Sequence, residues 1–107
     1  MLDNAIAGRI KDAVDAAFDE QVHCTAELVK FPSRRGREHT AQDFMAGAMR
    51  EQGLTVDRWQ IDIDQISHLP GFSPVYADYD NAFNVVGAHR SGNPTGRSLI
   101  LNGHIDV

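Results

Sequence analysis

Residues 98–105 read SLILNGHI, with Leu99, Ile100 and Leu101 in succession. Neighbouring residues of a strand point to opposite faces, so a strand built here is apolar on both. Such a strand belongs inside a sheet that is covered on each side, which demands helices layered over strands. The rest of the sequence offers the matching elements. Between residues 4 and 29, Ile6, Ile10, Val14, Phe18, Val22 and Ala26 recur every fourth position and predict an amphipathic helix, with Asp3 or Asn4 as its N-cap. Phe31-Pro32 ends it, because a residue before proline is pushed out of helical geometry. A second helix is predicted over residues 38–52, with Ala41, Phe44, Met45, Ala48 and Met49 on its covered side and Gly53 at a left-handed C-cap.

Strands follow. In LTVDRWQIDID, Trp59, Ile61 and Ile63 alternate with Arg58, Gln60, Asp62 and Asp64, the period of a half-buried strand. Residues 65–80 contain Pro70, Gly71 and Pro74 and read as a long irregular loop, a feature that is often functional. NVVGA, residues 84–88, is a short second strand, and RSGNPTGR is a turn leading into the third. The expected fold class is α/β: two helices, then the strands of a mixed sheet with residues 98–105 innermost.

At 107 residues the chain forms one domain at most. Its composition, 42% hydrophobic and 23% charged, is that of a globular protein. Apolar runs of about three residues are far below a membrane-spanning length. The opening MLDNAIAGRIKDAVD lacks the basic start and apolar stretch of a secretory signal. A single cysteine, Cys24, leaves no internal disulfide and fits a reducing cytoplasm. The net charge of −5 argues against nonspecific nucleic-acid binding, and the one basic cluster, Arg34, Arg35 and Arg37, has no interleaved aromatics.

The chemistry-bearing triplet is His104-Ile105-Asp106. On an extended strand His104 and Asp106 share a face with Asn102, at the carboxyl end of the strand, where ligands bind in open α/β sheets. A carboxylate two residues from an imidazole can accept its second N–H and fix the tautomer, as metal-bound histidines usually require. A strand running into a polar turn explains the same triplet, which is short and common.

The longer stretches discriminate further. LILNGHIDV resembles the Leu-x-Leu-x-Gly-His-x-Asp-Val strand of the zinc-dependent amidohydrolases that include acetylornithine deacetylase, succinyl-diaminopimelate desuccinylase, aminoacylase and glutamate carboxypeptidase. LVKFPS, residues 28–33, is similar to the Leu-Val-x-x-Pro-Ser motif that ends their first helix. QGLTVD and NVVG fall in the matching order, so the resemblance covers nearly the whole chain. The insert LPGFSPVYADYDNAFNVVG looks most like the deacetylase/desuccinylase branch.

The resemblance implies that residues 1–107 are the amino-terminal portion of a zinc-peptidase-like catalytic domain. His104 would be a metal ligand in a site for two zinc ions, or for cobalt or another divalent metal. Asp106 would be the catalytic-site carboxylate that orients the imidazole. The substrate would be an N-acyl amino acid or small peptide, the assembly a homo-oligomer, and the compartment the cytoplasm, with neither nucleic acid nor membrane as partner. The remaining ligands, the general base and a dimerisation or lid domain would lie beyond Val107, leaving this chain alone inactive. A non-catalytic scaffold, or a self-associating binding module derived from the fold, is the competing expectation.

Other candidates carry less. His23 and Cys24 are adjacent on a helix and diverge by about 100°, so they do not converge on a metal. Cys24 has no base nearby in sequence to activate it. His39 is expected to be exposed, and His68 and His89 sit in or beside loops, with His68 and the 65–80 loop as candidates for lining a substrate entrance. Asp62 and Asp64 are the solvent face of a strand. GNPTGRS has the wrong spacing for a phosphate loop, with Arg97 in place of lysine.

Overall fold

The computed structural model describes residues 3–74, 76 and 78–107. The chain is mixed α/β and divides into two compact units, Met1–Lys30 and Phe31–Val107. No helix among the described residues is long and apolar enough to cross a membrane.

The first unit is helical. Helix α1, Asn4–Ala16, is capped by Asp3, whose side chain accepts from the Ala5 N–H at 2.9 Å. Helix α2, Phe18–Leu28, follows directly. The single helix expected over residues 4–29 is therefore broken at Ala17, which adopts φ −92° and ψ 5°. The hydrogen-bond ladder carries on through the break, with Ala17 N–H donating to Ala13 O at 3.1 Å and Gln21 N–H to Ala17 O at 3.0 Å. The apolar stripe survives it: Ile6, Ile10, Val14, Phe18 and Val22 are each 46–61% exposed. Near the end of α2, the Lys30 ammonium donates to the Glu27 carboxylate and holds it below the usual carboxylate range.

The second unit is built around helix α3, His39–Glu51, which packs across strands β1, Thr55–Gln60, and β2, Phe83–Ala88. Ala41 and Ala46 are 0% and 1% exposed and are the buried apolar residues of the described chain. Phe44, Met45, Ala48 and Met49 are half-covered. The helix stops as its sequence dictates. Gly53 takes φ 77°, Gly53 N–H bonds to Arg50 O at 2.9 Å and Leu54 N–H reaches back to Met49 O at 3.0 Å. This pair of bonds satisfies the last carbonyls and turns the chain into β1.

The strands pair antiparallel, with Val56 opposite Gly87 and Arg58 opposite Val85. Their phase corrects the sequence reading. Val56 and Arg58 are the covered residues of β1, while Trp59 is 42% exposed. Arg58 takes the inner position because its stem is apolar and its head finds partners. The guanidinium lies 3.7 Å over the Phe83 ring, and Nε is 2.6 Å from Asp43 Oδ1, an ion pair whose N–H is not aligned for a hydrogen bond. The strand also ends before residues 61–64. Asp62 caps a short helix α4, Ile63–Ile66, accepting from Asp64 N–H at 3.0 Å and from Gln65 Nε2 at 2.9 Å. An aspartate that can bond its own following backbone favours a cap over continued strand.

Gly87 lies against the side chains of Met49 and Leu54, which an added Cβ would have to displace. A Cβ there would lie 2.8 Å from Met49 Sδ and 2.9 Å from Leu54 Cδ1. Gly87→Ala is expected to cost about 1–3 kcal/mol by forcing both neighbours aside. Thermal unfolding measures it, and an unchanged midpoint would show that Met49 and Leu54 yield freely.

The third strand is absent. Residues 98–107 form no ladder, and the described sheet is two-stranded and antiparallel rather than mixed. Leu99, Ile100 and Leu101 are 81–87% exposed. A segment apolar on both faces needs neighbouring strands for its backbone and layers for its side chains. The described residues supply neither.

Candidate functional site

Two segments far apart in sequence meet in the second unit. The loop after Phe31-Pro32 begins where the Phe31 ring packs on Phe44 of α3, with centroids 5.3 Å apart. Two residues on, Ser33 is 6% exposed and bonds the end of the chain. Its hydroxyl donates to Ile105 O at 2.8 Å, and its carbonyl accepts from Val107 N–H at 2.8 Å. The serine of LVKFPS is thereby the clamp that holds HIDV in place without a sheet.

The two predicted residues adjoin these bonds, His104 just before Ile105 and Asp106 between the two. His104 Nδ1 is 3.1 Å from Asp106 Oδ1 and 3.0 Å from Asp106 O. Both neighbours are acceptors, so the ring proton belongs on Nδ1. In the neutral imidazole the Nε2 lone pair is then the ligating atom. The pairing expected from a shared strand face is present, on a backbone that belongs to no strand. The side chains are 85% and 40% exposed, so water competes for the contact.

His104 and Asp106 open on a cleft of about 440 Å³. Its other walls include Arg35 from the loop before α3, Gln42 of α3, Ile61 after β1, Tyr79 from the long loop, and Asn84 from β2. The 65–80 loop contributes Ser73, Pro74, Tyr76 and Asp78 as well, whereas His68 is not among the lining residues. Val75 and Ala77 lie outside the described residues. Arg35, Tyr79 and Asn84 were not singled out as site residues by sequence, where Arg35 is visible only as part of an arginine run. A hollow of about 500 Å³ is lined by residues 60–65 and contains none of the predicted groups.

The remaining histidines are dispersed. His68 and His89, expected in or beside loops, are exposed. His39 is not: it is half-covered at the start of α3, and its Nδ1 is buried without a hydrogen-bond partner among the described residues. The α3 first turn lies against the rest of the unit, which hides a ring that the polar sequence around it suggested would be solvated. Cys24 is a half-covered free thiol on α2. Among the described residues no three His, Cys, Asp or Glu side chains are grouped to hold a metal ion.

Protein-family models, curated proteins and solved structures all give no match to the chain. The resemblance to zinc-dependent amidohydrolases accordingly rests on the quoted motifs.

Proposed function

We propose that the chain is the amino-terminal portion of the catalytic domain of a metal-dependent amidohydrolase acting on N-acyl amino acids or small peptides. The observation that supports this most is the His104–Asp106 pair, with Nδ1 committed to the carboxylate and Nε2 left to ligate, at the mouth of a cleft sized for a small molecule. In such enzymes bound zinc, or cobalt in its place, polarises the scissile carbonyl and lowers the pKa of a bound water. His104 fits one position of such a site. A catalytic zinc normally has three protein ligands, and the described residues do not assemble them. What this chain contributes is a ligand nitrogen, the carboxylate that orients it, and part of a substrate wall. A single cysteine fits a reducing cytoplasm, and the resemblance implies a homo-oligomer.

The expected behaviour of the 107-residue chain follows. It should take up zinc weakly and leave N-acyl amino acids intact. Isothermal titration checks this: tight stoichiometric uptake, lost in His104→Ala, would show a complete site within these residues. The function itself is tested downstream. A polypeptide extended along the reading frame past Val107 should hydrolyse N-acyl amino acids when loaded with zinc, and a frame encoding no further carboxylates and histidine overturns the proposal. A self-associating binding module is the second reading, supported by the exposed run Leu99–Ile100–Leu101.

A further inference from the structure

The cleft beside His104 holds one guanidinium and three carboxylates, and they differ in what they already touch. Glu38 Oε1 accepts from Gly36 N–H at 3.0 Å, and Asp78 Oδ1 accepts from Asp80 N–H at 2.8 Å. Asp106 Oδ1 is paired with the His104 ring. Each acid is thus engaged with a donor of the chain itself. Arg35 also lines the cleft, and among the described residues it makes neither an ion pair nor a side-chain hydrogen bond. A guanidinium presents five N–H donors in a planar fork that matches a carboxylate with two parallel bonds. We infer that Arg35 is a substrate-binding residue that holds the free carboxylate of an N-acyl amino acid, with the amide end of the ligand toward His104.

This rests on reading the cleft as the amide-cleaving site. It adds which residue recognises the free carboxylate, and that a blocked, neutral amide is a poor ligand. The acids around Arg35 oppose an anion, so binding to the chain alone belongs in the millimolar range and weakens with salt. A hydrogen-bonded charge pair at a partly wet site sets the expected loss on removing Arg35 at about tenfold.

Titration of the isotope-labelled chain, followed by backbone amide shifts, reads this directly. N-acetylalanine should shift Gly36, Asn84 and Gly103 saturably, while N-acetylalaninamide at the same concentrations should not. Arg35→Gln should weaken N-acetylalanine about tenfold, Arg35→Lys should restore part of the loss, and Arg34→Gln, outside the cleft, should change nothing. If Arg35→Gln loses its native spectrum, Arg35→Lys carries the comparison, since a retained charge without the fork must then bind more weakly than wild type. Undiminished N-acetylalanine binding in Arg35→Gln, or equal binding of acid and amide, overturns the role of Arg35 while leaving the cleft as a substrate site. An absence of saturable shifts in the wild-type chain overturns it too, and the hydrolysis experiment on the extended polypeptide then decides the function separately.

Discussion

In the extended polypeptide, His104→Ala is expected to reduce hydrolysis to near the detection limit and to lower bound zinc. An alanine supplies no ligand atom, and one of the few protein bonds that define the metal's geometry goes with it. Asp106→Asn should act differently. The amide oxygen still accepts the Nδ1 proton, now 3.1 Å away from a carboxylate, but the negative charge that holds the imidazole is gone. Losing such a partner typically costs 10–100-fold in metal affinity or activity. Zinc content by elemental analysis, read beside turnover, separates the two substitutions. His23→Ala is the control, an exposed position on α2 remote in sequence from the triplet. Equal losses from all three would contradict the assignment, because only a general folding defect treats them alike.

What the sequence disclosed depended on how local each interaction is. Helix α3 and its Gly53 terminus were legible because periodicity, cap and turn lie within one short window. The His104–Asp106 contact was legible for the same reason: two residues only two apart in sequence can meet whether or not a sheet contains them. Strand β1 was legible in place but not in phase. Trp59 looks like the core residue by hydrophobicity, yet Arg58 lies inward because Phe83 and Asp43 receive its head group. Neither partner is near it in sequence. The 98–105 segment shows the limit most plainly. Its pattern states what cover the segment needs, but a strand exists only where other segments bring it hydrogen-bond partners. Of the cleft, the 65–80 loop was anticipated but Arg35 and Asn84 were not, since they reach it from a separate loop and from β2, far apart in sequence.

The exposed terminal run has a second large consequence, for the state of the protein in solution. Leu99, Ile100 and Leu101 are 81–87% exposed and contiguous, and they pair with neither strand of the described two-stranded sheet. Burying each of these side chains is worth roughly 1.5–3 kcal/mol. Together that rivals much of the net stability of a small domain. The backbone of the same residues has no ladder partner, and an unpaired apolar edge recruits further chains. The 107-residue chain is therefore expected to self-associate, and sedimentation equilibrium should show species above the monomer well below the high-micromolar range. Ile100→Lys places a charge in the middle of the run and should shift the distribution toward monomer without altering the helical signal, since residue 100 is 87% exposed and lies in no helix. The helix stripe Ile6–Ile10–Val14–Phe18–Val22 is the internal comparison, being exposed but carried on a backbone whose hydrogen bonds are satisfied. Val14→Lys should therefore disperse the assembly less than Ile100→Lys. A wild-type chain that stays monomeric into the high-micromolar range, without binding an exposed-patch dye, would show that the terminal run finds cover within its own molecule.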